Sequence, residues 1–549
     1  MHNIREEDIA IIGLAGRFPG ASTIEQFWEN ICEGKESITH FSAEEINEVA
    51  VGSLLHHPDY VRAKGIVDNV DLFDADFFGL SELDAKLLDP QQRLFLLCAC
   101  EALEDAGYPA KNPTDDRVGV FASSAMSLYL LHNILKNPEI INTVDESLIL
   151  LGNDKDFLAT RVSYLLNLKG PSINIQTGCS SSLVCIHYAV QSLLNGECDM
   201  ALAGGVSIIL PQEQGYLYRK NMMGSADGRC YPFDKQAQGS VKSNGVGVVA
   251  LKLLQDAIED NDPVYAVIRG SAVNNDGSQK AAFTASNALQ QTDVIKQALR
   301  VAEVESRSIA FIETHGTGAS VGDSIEIAGL KRAIKGKEKH CALASLKGNI
   351  GHLGVAAGVA GFIKTCLSLY HGKIPPSIHF SELNSEISLD KTPFYINTIL
   401  QDWPDTLYPK RAGVSVFGVG GTNAHIILQE HCPSLRKVRP DSDAQQWDLK
   451  RYWIDAIQSS PTLSFTSIGT SPYDVLECLT NAWKGVLGKE PLTEEAHFFN
   501  EGGHSVSAAQ FIEQLPTSLR QQVKVAHLYQ FPVFKYLVQH VLSLHTEGV

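Results

Sequence analysis

The chain has 549 residues, 44% of them hydrophobic and 20% charged, with a net charge of −18. That length exceeds one small domain, and the composition is that of a globular protein. The acidic balance argues against a nucleic-acid or anionic-membrane partner. The 11 cysteines include no CxxC pair and the 18 histidines no HExxH spacing, so reduced thiols and no metal site are expected. The charged opening Met1–Asp8 lacks the apolar core of a secretory leader, and no apolar run is long enough to span a bilayer. The expected setting is the cytoplasm, without membrane contact.

Ile9–Leu14 is a continuous apolar run of the buried-strand kind. Gly16–Gly20 is a turn, and Thr23 opens a helix carrying Phe27 and Trp28. Residues 46–80 are loop-rich. A long helix follows over Pro90–Ala106, then a buried strand at Val118–Ala122 and a mixed segment over 126–160. Ser172–Gln176 alternates apolar and polar, with Ile173 and Ile175 on one side, which predicts a short strand. Thr177-Gly178 break it, Cys179 follows, and serines open a helix whose apolar face is Leu183, Ile186, Val190, Leu193 and Leu194.

Cys179 therefore sits at a strand-to-helix turn. The unpaired N–H groups and positive dipole end of a helix N-terminus favour a thiolate, which makes Cys179 a candidate nucleophile. A small buried cysteine beside N-cap serines is the other reading of this stretch.

Strand and helix signals continue to alternate: Met200–Val206, Gly245–Leu254, Ala266–Gly270, a helix over 289–303, Ile309–Glu313, helices over 322–333 and 355–370, and strands at 412–416 and His425–Leu428. This alternation predicts an α/β fold with a mixed or parallel sheet covered by helices. Composition shifts near 430. Residues 1–430 form one domain, 431–471 a linker, and 472–549 a small all-helical domain with helical stretches at 473–486, 504–514 and 533–543. No internal repeat is visible by inspection.

Two further stretches look like active-site loops: Glu313-Thr-His315-Gly-Thr317-Gly…Asp323 and Ser345-Leu-Lys347-Gly-Asn-Ile-Gly-His352. A lone histidine in such a loop is commonly a satisfied structural residue. Two of them, with Cys179, give a nucleophile and two donors able to hold a developing oxyanion or enolate. Lys347 reads as a companion of His352 or as a surface lysine. A fourth stretch, Ser415-Val-Phe417-Gly-Val419-Gly-Gly-Thr-Asn-Ala-His425, offers bare N–H groups that could complete an oxyanion hole with the N–H of Cys179, or is a structural tight turn.

With these motifs in place, residues 7–430 resemble a β-ketoacyl synthase, the ketosynthase domain of modular polyketide synthases. The matching segments are Ile12–Gly20, Leu88–Arg93, Thr177–Leu183 (Thr-Gly-Cys-Ser-Ser-Ser-Leu), Gly270–Gly277, Glu313–Gly318 (Glu-Thr-His-Gly-Thr-Gly), Lys347–Leu353 (Lys-Gly-Asn-Ile-Gly-His-Leu) and Gly420–His425. The resemblance implies a thiolase fold, with mixed sheets layered with helices, and a homodimer. It implies that Cys179 takes the acyl chain as a thioester, that His315 and His352 promote decarboxylation of a malonyl thioester, that Lys347 organises the His352 side and that Glu313 supports the scaffold. Thr317, Phe417 and Val419 fall at pocket positions. Gly178 replaces a common Ala, which implies a slightly looser turn. Ala319 replaces a Thr that contacts the pantetheine arm, Val419 a bulkier gate residue, and Gly348 a common Thr.

Residues 472–549 resemble a phosphopantetheine carrier protein, a small helical bundle, on the match Phe498–Ser505 (Phe-Phe-Asn-Glu-Gly-Gly-His-Ser). The resemblance makes Ser505 the attachment point of covalent 4'-phosphopantetheine; from the residues alone it is an N-cap serine. Arg451-Tyr-Trp-Ile454 resembles a segment that follows an acyltransferase in related synthases and folds back on the ketosynthase. Here it lies about twenty residues after 430, which leaves no room for that domain. The implied partners are acyl and malonyl thioesters on carrier proteins, a trans-acting acyltransferase, a phosphopantetheinyl transferase and neighbouring synthase modules.

The leading function is decarboxylative Claisen condensation. A non-extending transacylase or decarboxylase is the alternative, with an inert docking module behind it. A cysteine hydrolase is last, since nothing in these loops activates a water.

Overall fold

The computed structural model describes residues 5–46, 52–111, 113, 116–220, 222–405, 408–431, 445–455, 472–491, 495–503, 505–520 and 522–546. The chain divides into two units, Met1–Ile457 and Gln458–Val549.

The first unit is built on eleven hydrogen-bonded strands: β1 Ile9–Arg17, β2 Val118–Ala122, β3 Ser172–Asn174, β4 Met200–Ser207, β5 Gly245–Leu253, β6 Ala266–Asn275, β7 Phe311–Glu313, β8 Cys341–Ala344, β9 Phe394–Ile396, β10 Arg411–Phe417 and β11 Thr422–Gln429. Their spatial order is β9-β8-β7-β10-β11-β6-β1-β5-β4-β2-β3. The halves meet where β1 pairs with β6 at Ile9↔Ile268, Ala10↔Val267 and Ile11↔Ala266.

Each half runs the same course. Its first strand pairs antiparallel with its last, the last pairs antiparallel with the one before it, and two parallel pairings follow, with a third adding β9 at the edge of the second half. The structure thus contains an internal repeat that inspection of the sequence misses. Burial asks only for apolar residues at these positions, and many apolar combinations satisfy it.

Both faces of the central strands are covered, which explains their unbroken apolar runs. Two central helices, α2 Ser181–Leu194 and α5 Ala357–His371, lie between the halves. Their Leu183, Ile186, Val359 and Ile363 share one core with Ile9, Ile11 and Leu251 of the first half and Ile268, Val414 and Ile426 of the second. The alternate strand residues face outward. Ala10, Ile12, Leu202 and Val248 pack with Leu96 and Leu103 of α1 Pro90–Asp105. Ile312, Leu343 and Ile427 pack with α3 Ala288–Val301 and α4 Ser320–Ala333.

The central helices touch closely. A Cβ on Gly358 would stand 2.8 Å from the Leu183 nitrogen and 2.9 Å from its Cβ, and the Ser182 hydroxyl accepts the Val359 N–H at 3.0 Å.

Two details depart from expectation. Helix α2 is buried nearly all round, with Val184, Cys185 and Ala189 as enclosed as its forecast apolar face, while Leu194 at its end is exposed. Strand β3 lies at the sheet edge, and Ile173 is 45% exposed rather than covered.

Residues 445–455 lie along the first unit. Tyr452 N–H donates to Asp71 O at 2.9 Å. The buried Arg93 guanidinium donates to Tyr452 O at 2.5 Å and lies 5.7 Å from the Trp453 ring. Ile454 N–H donates to the Tyr129 hydroxyl at 2.7 Å. The rest of the expected linker, 432–444 and 456–471, lies outside the described residues.

The second unit contains helices α6 Pro472–Leu487, α7 Ser505–Gln514, α8 Val525–Gln530 and α9 Phe534–Thr546, with one short helical turn at Thr517–Arg520. Its core centres on the wholly buried Trp483, whose ring stands 5.2 Å from those of Phe498 and Phe534.

Gly358→Ala should lower the stability of the first unit by about 1–3 kcal/mol, the usual range for overpacking a filled core. Urea unfolding followed by tryptophan fluorescence measures it. A wild-type midpoint would mean that the helix contact tolerates a methyl group.

Candidate active site

Cys179 lies in one 3₁₀ turn, Gly178–Ser180, between β3 and α2. The serines secure this turn rather than cap the helix. Ser181 Oγ accepts Thr177 N–H at 2.8 Å and donates to Gly178 O at 2.7 Å, while Ser180 Oγ donates to Thr177 O at 2.9 Å. Gly178 has φ +68°, a left-handed conformation in which a side chain is strained. A Cβ there would also stand 3.1 Å from Val419 O. Glycine at 178 therefore suits the turn and does not loosen it.

The hairpin turn Gly418–Gly421 between β10 and β11 faces the cysteine turn. A Cβ on Gly418 would fall 2.3 Å from Thr177 O, so a bare backbone is needed for the two turns to meet. The backbone N–H groups of Val419 and of Cys179 itself favour a thiolate at the sulfur.

His315 follows β7, and its loop is gripped by α4. One Glu326 oxygen accepts His315 N–H and the other Gly316 N–H, both at 2.8 Å. Asp323, one turn earlier on α4, accepts Thr317 N–H at 3.1 Å and Phe233 N–H at 2.8 Å. The His315 ring stands 5.6 Å from that of His352 and 5.8 Å from that of Phe417. His352 Nδ1 accepts Gly354 N–H at 3.0 Å, so the proton of the neutral ring sits on Nε2. His315 Nδ1 is buried and has no hydrogen-bond partner among the described residues.

Glu313 stands behind these rings. It accepts Leu346 N–H at 2.6 Å and forms a buried ion pair with Lys364 at 2.7 Å. Lys347 is buried beside it, and among the described residues its ammonium is in no ion pair. In the second unit, Ser505 is the first residue of the ten-residue helix α7.

This geometry can be set beside known proteins. The model of the β-ketoacyl synthase N-terminal domain matches residues 6–257, that of the C-terminal domain 265–381, and that of the phosphopantetheine attachment site 478–541. A crystal structure of ketosynthase twelve from the bacillaene polyketide synthase of Bacillus amyloliquefaciens is 38% identical, covering 78% of this chain and 76% of its own, with a TM-score of 0.74. The chain belongs to the β-ketoacyl synthase family. It joins a thiolase-fold ketosynthase of the modular polyketide type, an acyl-transferring condensing enzyme, to a helical phosphopantetheine carrier.

One polypeptide of the phenolphthiocerol/phthiocerol polyketide synthase of Mycobacterium tuberculosis is 49% identical over 440 residues, 78% of this chain and 29% of its own length. Polyketide synthase PksL of Bacillus subtilis is 35% identical over 557 residues, 95% of this chain and 12% of its own length. The chain thus spans less than a third of either curated relative.

The carrier takes covalent 4'-phosphopantetheine, and its residues fit that group. A Cβ on Gly503 would stand 2.4 Å from the Phe498 ring, so the loop is drawn tightly onto the core just before α7. The unpaired N–H groups at a helix start suit a phosphodiester.

The electrostatics of the ketosynthase site correct one expectation. Burial raises the Cys179 thiol above its ordinary range, with the Val419 N–H and the Lys347 charge opposing it. The helix start alone predicts a resting thiolate. Desolvation outweighs it, because a dipole contributes only about 0.3–1 kcal/mol and the sulfur sits in a largely water-excluded turn. Burial, reinforced by Lys347, pushes His352 down to about 3 and His315 well below the imidazole range. Both rings are neutral near pH 7, and each carries one N–H. Burial also lowers Lys347, against the pull of Glu313 and Glu326. Asp323 is pushed up to about 7, again by burial.

Sequence reading misses Glu326 as the clamp on His315. A signal for it exists: Asp323 and Glu326 are spaced i, i+3 on the helix directly after the Gly-Thr-Gly loop, which puts both carboxyls on one face.

Lys347→Met should raise the pH midpoint of Cys179 alkylation by iodoacetamide, because the lost positive charge favoured the thiolate. It should also raise the imidazole pKa values read by NMR, because that charge disfavoured the imidazolium. An unchanged alkylation profile would show that the Lys347 charge does not reach the sulfur.

Proposed function

We propose that the ketosynthase extends an acyl chain by decarboxylative Claisen condensation, with Cys179 as the nucleophile. The observation that carries this reading is the pair of neutral imidazoles, 5.6 Å apart, on the loops that share the site with the cysteine. The Cys179 sulfur attacks the incoming acyl thioester, and its proton leaves with the departing thiol. The N–H groups of Cys179 and Val419 hold the oxyanion that forms on the acyl carbon. A malonyl thioester then enters. As it loses carbon dioxide, negative charge grows on its thioester oxygen, and N–H groups of His315 and His352 receive it. The resulting carbanion attacks the acyl-cysteine carbonyl, forming the carbon–carbon bond and returning the sulfur.

Glu326 fixes the His315 loop, burial reinforced by the Lys347 charge keeps both rings uncharged, and Glu313 paired with Lys364 supports the loop before Lys347. Phe417 and Val419 line the acyl side, and Thr317 lines the approach of the carrier arm. Retention of both histidines supports extension over a non-extending transfer.

In the carrier, Ser505 is the attachment residue. When bound, 4'-phosphopantetheine supplies the thiol to which acyl groups are esterified. The short 431–471 interval supports loading of the extender by a separate acyltransferase. A phosphopantetheinyl transferase and neighbouring modules are the other partners, in the cytoplasm. The exposed edge strand β3 with Ile173, and the 82% exposed Tyr164 on the adjoining helix Leu158–Leu166, support a homodimer through this edge.

Intact-protein mass spectrometry tests the assignment. The wild-type holo-protein, given an acyl thioester and a malonyl-loaded carrier, should yield a product two carbons longer than the acyl donor. Cys179→Ala should abolish acylation of the first unit, and Ser505→Ala the mass gain from a phosphopantetheinyl transferase. Transfer without elongation would replace condensation by the transacylase reading.

A further inference from the structure

Strand β6 ends at Asn275, opposite Thr422 at the start of β11. The loop that leaves it therefore runs beside the Gly418–Gly421 turn. Asp276 N–H donates to Gly421 O at 2.9 Å, and the Asp276 carboxylate accepts Asn423 Nδ2–H at 2.7 Å. Four residues on, Lys280 folds back. Its ammonium stands 4.0 Å from Asp276 Oδ2, and the two side chains are 6% and 2% exposed. That ammonium is buried and has no hydrogen-bond partner among the described residues. It lies 2.8 Å from where a Cβ on Gly421 would be, so it rests directly on the backbone of the turn. The Phe283 ring closes the outer side, 5.4 Å from the ammonium and 3.4 Å from where a Cβ on Gly420 would be.

A buried, unbonded ammonium is an expensive way to fill space, and an aliphatic side chain would fill it without that cost. What the ammonium adds is charge facing the Asp276 carboxylate across the turn. Gly420 and Gly421 have φ +101° and +98°, and glycine backbone at such angles resists distortion weakly. Two backbone hydrogen bonds close the turn, Gly418 N–H to Thr422 O at 2.8 Å and Gly421 N–H to Gly418 O at 2.9 Å, and Asp276 and Lys280 brace its outer side. Its first residues, Gly418 and Val419, are the ones that meet the cysteine turn.

We propose that Lys280 is a positioning residue for acyl transfer to Cys179: with Asp276 it clamps the Gly420–Gly421 turn and thereby holds the Val419 N–H toward the sulfur and the oxyanion that forms beside it. The inference rests on the reading of Cys179 as the nucleophile. Lys280 acts through the backbone and touches no reacting atom. Lys347, which faces the sulfur from the opposite loop, is independent of it.

The test uses the full holo-chain with Lys280→Met, Lys280→Arg, Asp276→Asn and the double variant Asp276→Asn/Lys280→Met. Two quantities are read: the rate of Cys179 acylation by a soluble acyl thioester, and the pH midpoint of Cys179 alkylation. Lys280→Met should slow acylation about tenfold and raise the alkylation midpoint, since a displaced Val419 N–H no longer favours the thiolate. Lys280→Arg should keep acylation within about threefold of wild type. Asp276→Asn should act in the same direction as Lys280→Met, and the double variant should be no slower than the worse single one.

Wild-type rate and midpoint in Lys280→Met would overturn the proposal, as would effects of the two single changes that multiply in the double variant. Slower acylation with an unmoved midpoint would overturn it too, since general loosening alone gives that result. If Lys280→Met does not fold, Asp276→Asn and Lys280→Arg decide the matter on the same two readings. A wild-type protein that is not acylated at Cys179 at all would instead remove the reading of the site on which the inference rests.

Discussion

The close contact between the two central helices is the constraint on which the rest of the molecule depends. Helix α2 brings Cys179 at its start, and α5 follows the loop that carries His352. The two meet through Gly358 against Leu183, with the Ser182 hydroxyl bonded to the Val359 N–H. Cys179 and the two histidines come from opposite halves of a duplicated strand arrangement, and their spacing is therefore a packing distance. Close-packed interiors deform little, which lets short loops hold reacting groups in place.

Around that contact the site is kept largely free of paired charge at its centre and is braced by charge at its periphery. Glu326 and Asp323 grip the loop of His315, and Glu313 pairs with Lys364 behind Lys347. Among the described residues the Lys347 ammonium has no ion pair, and its field acts on Cys179, His315 and His352. It favours the thiolate and disfavours both imidazolium forms. One buried cation thus biases the cysteine and both histidines at once.

Much of the site is legible in the sequence because its chemistry needs unusual residues at unusual turns. A cysteine between a strand and a serine-started helix, and histidines amid glycines, stand out in any sequence. Glu326 does not, since two acids spaced three apart on a helix read as a solvated face until the fold buries them. The protonation state of Cys179 is misread for the same reason. The helix start is visible locally, whereas the desolvation that overrides it is supplied by segments hundreds of residues away. The exposure of Ile173 and Leu194 likewise depends on where the sheet and the helix end in space, which periodicity does not record.

The raised thiol has a consequence beyond catalysis. Peroxide and other oxidants attack the thiolate and scarcely touch the thiol. A cysteine whose sulfur stays protonated between substrates is slow to reach the sulfenic state, and slower still to pass on to the irreversible acids. The burial that holds the Cys179 thiol above its ordinary range therefore also protects the sulfur from oxidation.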